Sequence, residues 1–197
     1  RPQIASGTQA ITAALFGLLR PGDELLSITG PPYDTLRTVI GTEGNAVDTL
    51  REWGIKYQEV PLKDGRPDFA AIKSAVGPQT KVIAIQRSRG YSWRPALTIS
   101  QIEEMVCAVR SVSDAVIFCD NCYGEFVEPI EPTHVGVDIM AGSLIKNPGG
   151  ALAPYGGYLV GKEELIEQVA AHLTAPGLGR AVGGSHDLAR ITLQGFF

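Results

Sequence analysis

The chain has 197 residues, of which 44% are hydrophobic and 19% charged, a composition typical of one sizeable α/β domain. Its formal net charge of -4 at pH 7 argues against a nucleic-acid-binding protein, because such proteins are usually basic. The sequence has neither an apolar run long enough to span a membrane nor a signal peptide, so we expect no membrane association and a cytoplasmic protein. Three cysteines, an odd number, are too few for a disulfide framework.

Strand-like and helix-like segments alternate along the chain without a long linker or an internal repeat. The first helix is predicted over 8–19, where Ile11, Leu15 and Leu18 recur at helical spacing and Pro21-Gly22 ends the run. Further helices are predicted at 34–41, 46–53, 68–75, 99–112 and 162–174, and strands at 24–29, 57–62, 81–86, 115–119, 138–145 and 158–160.

Two predicted strands, KVIAIQ at 81–86 and AVIFC at 115–119, are almost continuously apolar, as is typical of strands buried on both faces of a parallel sheet. The helix between them has two possible capping boxes, Thr98 with Gln101 or Ser100 with Glu103. The alternation predicts an α/β fold with a doubly wound, mostly parallel sheet and helices on both faces. In such sheets ligands bind at the carboxyl ends of the strands.

Unusual polar residues follow three of these strands. Asp120 follows AVIFC, Arg87 and Arg89 follow KVIAIQ, and Lys146 ends the apolar run of GSLIKNPGG. A fourth element, Ser6-Gly7-Thr8, begins the first helix, where free backbone N–H groups and the helix dipole favour an anion such as phosphate.

A phosphate seat, an acid and a lysine at one sheet edge are what pyridoxal 5′-phosphate requires. The lysine forms a Schiff base with the cofactor, the carboxylate of Asp120 keeps the pyridine nitrogen protonated, and the helix start holds the phosphate. A lysine amine must be partly neutral to attack an aldehyde, and we expect burial to lower the pKa of Lys146 towards that condition. Cys119 and Cys122 have the CxxC spacing of a metal or redox motif, but no second cysteine pair supports it and we predict no metal.

The sequence resembles the fold-type I pyridoxal-phosphate enzymes of the cystathionine lyase and methionine γ-lyase group. Within that group it is most similar to the branch called aluminium resistance protein or methionine γ-lyase family protein. The segments that carry the resemblance are SGTQAI, GPPYDTL, QRSRGYSWRP, CDNCYGEF and AGSLIKNPGG, which together span nearly the whole chain.

The resemblance implies a role for individual residues. A Ser-Gly-x turn and a serine three positions before the lysine would contact the phosphate, and a tyrosine would stack on the cofactor ring and help to protonate the leaving group. Arg87, Arg89 and Tyr123 are candidates for substrate contact, although the two arginines could instead pair with surface acids. The residues matched to the cofactor-binding pattern are Ser6, Gly7, Thr8, Tyr33, Asp120, Ser143 and Lys146.

Two departures from the family pattern concern the reaction. Ile145 stands where the common Ser-x-Thr-Lys pattern has threonine, so one side-chain hydroxyl that would contact the phosphate is missing. The arginine that holds the substrate carboxylate belongs to a C-terminal domain of the family, so we expect residues 1–197 to be the large cofactor-binding domain, truncated at both ends.

The predicted function is carbon–sulfur elimination, at the β or γ carbon, from a sulfur-containing amino acid. The resemblance also implies a homodimer or homotetramer with sites across the subunit interface. Three alternatives stay open: another reaction on the same cofactor, of aminotransferase or aldolase type, a non-catalytic protein that keeps the cofactor, and a nucleotide-binding module.

Overall fold

The structure is a computed structural model that describes residues 4–179 and 188–196. Six strands form one sheet: β1 (Glu24–Ser27), β2 (Lys56–Glu59), β3 (Thr80–Gln86), β4 (Val116–Asp120), β5 (Ile139–Ser143) and β6 (Gly157–Gly161). The helices are α1 (Gly7–Leu18), α2 (Asp34–Ile40), α3 (Phe69–Ala75), α4 (Ile99–Arg110), α5 (Glu163–Ala170) and α6 (Leu188–Phe196), with short 3-10 turns at Pro132–Val135 and Asn147–Gly149.

The strand order is β2-β1-β3-β4-β5-β6. Strands β1 to β5 run parallel, and β6 pairs antiparallel with β5 at the edge. The carboxyl ends of the five parallel strands therefore meet at one edge of the sheet, which is where a ligand site is expected in this architecture.

Each face of the sheet packs against its own hydrophobic cluster, because successive side chains of a strand point to opposite faces. Phe118 of β4 packs with Ile11 and Leu15 of α1 on one face. Its neighbour Ile117 packs with Ile102 and Met105 of α4 on the other. Helices thus cover both faces, and the predicted doubly wound, mostly parallel sheet is confirmed.

The caps that position the helices follow from local sequence. Ser6 caps α1, its Oγ accepting a hydrogen bond from the Gln9 N–H at 3.0 Å. Of the two capping boxes considered for α4, Thr98 with Gln101 is the one that forms.

The prediction of a helix over 46–53 is wrong. That segment consists of turns and bends. Gly44, which precedes the segment, and Asp48, which lies within it, adopt left-handed backbone conformations with φ of 76° and 63°. Val47, an apolar residue of the supposed helix, is 82% exposed. The predicted strands at 24–29, 57–62 and 138–145 and the helix at 162–174 exist but are shorter than predicted.

None of the helices within residues 4–179 and 188–196 is long and apolar enough to cross a membrane.

Candidate active site

A cleft of about 920 Å³ opens at the carboxyl edge of the sheet. It is bounded by the start of α1, the start of α2 and the segments that follow β3, β4 and β5. The fold therefore brings all the sequence-predicted site residues to one cavity: Ser6, Gly7, Thr8, Tyr33, Arg87, Arg89, Asp120, Tyr123, Ser143 and Lys146.

The start of α1 lies directly against the end of β5. A Cβ atom built on Gly7 would lie 2.8 Å from the Ser143 Cβ, so only glycine allows this approach without displacement. The Ser6 hydroxyl is engaged in capping, whereas Gly7 and Thr8 belong to the first turn, whose N–H groups have no partner within a helix. The helix dipole and the Ser143 hydroxyl thus meet at one end of the cleft, where an anion would be stabilised.

Tyr33 is held at the start of α2 by contacts to both neighbouring elements. Its N–H donates to the Gln86 side chain at 2.9 Å, and its phenol oxygen lies 3.2 Å from the Thr8 hydroxyl. Burial raises the pKa of Tyr33 to about 12. The phenol therefore keeps its proton at neutral pH and can donate it.

Asp120 ends β4 as a buried carboxyl group that is 4% exposed. Its Oδ1 accepts the Cys122 N–H at 3.1 Å. Burial raises the pKa of Asp120, and the hydrogen bonds from Cys122 and the charge of Lys146 only partly offset burial. Such a carboxylate is stabilised when a cation, for example a protonated ring nitrogen, binds beside it.

Lys146 lies in the turn after β5 and not at the end of the strand, which stops at Ser143. Its amine is half-buried, and the neighbouring Ile145 is 52% exposed. Burial lowers the pKa of Lys146, but the acidic groups of Cys122, Tyr123 and Asp120 outweigh burial and the net pKa is raised. The sequence-based expectation that burial leaves Lys146 with a lowered pKa is therefore wrong.

The two candidate substrate arginines differ in their surroundings. Arg87 is 2% exposed, and its guanidinium donates to Glu128 at 2.8 Å and to Glu131 at 3.4 Å. Arg89 is exposed, and its guanidinium lies over the Trp93 ring, 5.1 Å from the centroid. Arg87 is thus engaged by acids of its own chain, whereas Arg89 is accessible from the cleft.

Sequence reasoning missed the part played by Cys122, which it weighed only as a metal or redox cysteine. The Cys122 thiol lines the cleft and hydrogen-bonds with both the Asp120 carboxyl and the Lys146 amine. Its position two residues after an aspartate is the available signal, since Asp side chains commonly bond the N–H two residues on.

The fold and the site define a class: an α/β protein with a doubly wound sheet and an anion seat, a buried acid and a lysine at the carboxyl edge. The family model of methionine gamma-lyase matches residues 1–197. The chain belongs to the methionine gamma-lyase family.

Individual relatives agree with this assignment. The chain is 55% identical to the uncharacterised protein YnbB of Bacillus subtilis, covering 100% of this chain and 48% of the relative. It is 28% identical to the L-methionine gamma-lyase of Pseudomonas putida, covering 84% of this chain and 37% of that enzyme.

Among solved structures, it superposes on a carbon-sulfur lyase involved in aluminum resistance from Clostridium novyi NT with a TM-score of 0.93 and 46% identity, covering 100% of this chain and 47% of that one. The chain spans about half the length of the relatives it matches.

Proposed function

We propose that the chain binds pyridoxal 5′-phosphate and serves a carbon–sulfur lyase that cleaves a sulfur-containing amino acid by α,β- or α,γ-elimination. The observation that carries the proposal is the meeting of the Lys146 amine, the Asp120 carboxyl and the start of α1 around one cleft. Family membership supports the same function, since named members include L-methionine gamma-lyase.

The residues present fit the cofactor in charge and position. Because Gly7 lies against Ser143, the free N–H groups at the start of α1 and the Ser143 hydroxyl form one phosphate-binding site. The positive end of the helix dipole would stabilise the anion there. The raised pKa of the buried Asp120 indicates a carboxyl group that needs a cation in contact, and a protonated pyridine nitrogen supplies one. When bound, the cofactor would supply an electron sink for the substrate carbon.

The side chains of this chain would then bind, orient and move protons. Asp120 would hold the proton on the ring nitrogen, and Thr8 and Ser143 would fix the phosphate. The Lys146 amine, once free and neutral, would take the proton from the substrate Cα, a kind of contribution typically worth about 10²–10⁴-fold in rate. Tyr33, whose phenol stays protonated, would donate towards the departing sulfur.

The remaining parts of the active site belong to the same proposal. We place the arginine that binds the substrate carboxylate outside these residues, and take 1–197 as the large cofactor-binding domain. A homodimer or homotetramer is proposed as the working assembly. Tyr91, which lines the cleft, and Trp93, which contacts Arg89, are 85% and 95% exposed and offer apolar surface for such contacts.

The test uses the full-length protein and two variants. Wild type and Lys73→Ala, which alters an exposed lysine of α3, should show a visible cofactor absorption band and a borohydride-stable adduct on the peptide containing Lys146. Lys146→Ala should lack the borohydride-stable adduct. A wild-type protein without this adduct would refute cofactor binding at Lys146.

Product analysis then separates the reactions. Equal amounts of α-keto acid, ammonia and thiol from a sulfur amino acid support elimination. Transfer of the amino group to a second keto acid would instead establish an aminotransferase.

A further inference from the structure

The Lys146 amine lies over the face of the Tyr123 ring, with Nζ 4.3 Å from the centroid. The face of an aromatic ring carries negative partial charge, so it attracts an ammonium ion at this distance. Tyr123 therefore contacts the reactive amine itself.

The backbone of Tyr123 is held in an unusual conformation. Its φ of 66° lies in the left-handed region, which is a rare position for a bulky aromatic residue and persists only where the surroundings enforce it. The loop is fixed on the side of the lysine turn by the Asn147 side chain, which donates to the Glu125 carbonyl at 2.9 Å. It is fixed on the other side by Arg87, which donates to the Gly124 carbonyl at 2.8 Å.

We propose that Tyr123 is a positioning residue whose ring face holds the protonated amine of Lys146 over the cleft whenever that amine is not bonded to the cofactor. The proposal rests on the function proposed above and assigns Tyr123 to the lysine rather than to the substrate. It gives a reason for an aromatic side chain at a left-handed position that glycine or asparagine would adopt with less strain.

The Tyr123 phenol and three neighbouring acidic side chains also interact with the amine. Asp120 reaches it from the end of β4, and Cys122 and Glu125 from the loop that carries Tyr123. All of them favour the charged amine when they are ionised, but burial raises the pKa of the Cys122 thiol to about 12 and leaves it neutral at pH 7. The ring face needs no ionisation of its own, so it acts at every pH at which the amine is protonated.

The Tyr123 ring affects the protonated and the neutral amine of Lys146 differently. The ring favours the ammonium form, so it stabilises the amine after it has taken up a proton and makes the loss of that proton harder. Removal of the ring should lower the pKa of Lys146 by roughly 0.4–1.5 pH units, from the usual strength of such contacts.

The experiment measures the amine directly, in full-length protein freed of cofactor. Trace acetylation with acetic anhydride across pH 6–11, quantified by mass spectrometry, reports the pKa of Lys146, with the exposed Lys73 as the internal reference. Tyr123→Leu should shift the pH dependence to lower pH by the amount above. Tyr123→Phe keeps the ring face and removes only the phenol, whose charge also favours the ammonium ion, so its profile should lie between those of wild type and Tyr123→Leu. An unchanged profile in Tyr123→Leu, or an equal shift in Tyr123→Phe, would overturn the proposal.

A second variant protects the test against misfolding. Tyr123→Gly relieves the left-handed strain, and it should shift the labelling profile as Tyr123→Leu does. The labelling needs no cofactor, so its result is independent of whether Lys146 forms a borohydride-stable adduct. Failure of the adduct test with a normal Tyr123 effect would refute the proposed function alone.

Discussion

Gly7 and Ser143 lie against each other across the junction of α1 and β5, and a Cβ at position 7 would come within 2.8 Å of the Ser143 Cβ. Real side chains do not pack this closely, so the contact joins the helix start to the strand end only while position 7 is glycine. The two predicted phosphate-binding elements are consequently in direct contact.

Gly7→Ala should push the start of α1 away from Ser143 and thereby weaken cofactor binding. Accommodating an extra methyl group in a tight contact costs about 1–3 kcal/mol, so we expect the dissociation constant for pyridoxal 5′-phosphate to rise by about 5- to 150-fold. Spectrophotometric titration of the full-length apoprotein measures it. Gly77→Ala is the matched control, because a Cβ there would have its nearest neighbour, Thr80 Oγ1, at 3.9 Å. Equal affinity in both variants would contradict the shared seat.

Asp120→Asn should stabilise the protein without cofactor at neutral and alkaline pH. Burial raises the pKa of Asp120 above its unfolded value, so the charged carboxyl destabilises the folded state above the folded pKa, and this cost disappears below about pH 4. The melting temperature of the variant should therefore exceed that of wild type at pH 8, by a margin that shrinks as the pH falls.

The same Asp120→Asn variant should lose lyase activity, because asparagine carries no charge to hold a proton on the ring nitrogen. Glu103→Gln, at an exposed position of α4, is the control for removing a carboxylate. The stability prediction would be contradicted by a lower melting temperature for Asp120→Asn than for wild type at pH 8. Such a result would show that Cys122 and Lys146 fully offset the cost of burying the charged Asp120 carboxyl.

For the residues that follow strands, the sequence was sufficient to predict that they share the cleft, and the reason is geometric. Continuous apolar runs identify β3 and β4 as buried parallel strands, and the residues that follow such strands must meet at the carboxyl edge. Asp120 and Arg87 could be placed together on that basis, and Lys146 joins them through the predicted strand at 138–145, whereas Tyr33 and Ser143 were matched to the site only through the family resemblance.

Other features depend on interactions that periodicity does not reveal. The supposed helix over 46–53 fails because Gly44 and Asp48 take left-handed conformations that an apolar pattern cannot indicate. The pairing of Arg87 with Glu128 and Glu131 depends on how the loop after β4 folds back, and the raised pKa of Lys146 depends on which acids that loop brings close.

Mutation of Arg87 should destabilise the protein much more than mutation of Arg89. Arg87→Met leaves two carboxylates without their buried partner and should lower the free energy of unfolding by about 3 kcal/mol. Arg89→Met removes an exposed contact with Trp93 and should change it by less than about 1 kcal/mol. Urea unfolding of both variants measures the difference. Wild-type stability for Arg87→Met together with a raised KM would assign Arg87 to the substrate.

The buried Glu125 and the partly buried Tyr158 form a pair that supports β5 just before the site. The Tyr158 hydroxyl donates to Glu125 Oε1 at 2.8 Å, while Glu125 Oε2 is buried with no hydrogen-bond partner among the described residues. Both side chains pack on Gly142, where any Cβ would overlap them. The pair therefore fills the space behind the residue that precedes Ser143.

Tyr158→Phe should destabilise the protein by about 1–3 kcal/mol, because it leaves the buried Glu125 carboxyl without its donor. In a Glu125→Met background the same change should cost little, and the double-mutant cycle should give a coupling free energy of about 1 kcal/mol or more. Tyr155→Phe, at a position 40% exposed, is the control for loss of a phenol. If the cycle shows no coupling, the hydroxyl and the carboxyl contribute to stability independently, and the support of β5 comes from packing on Gly142 alone.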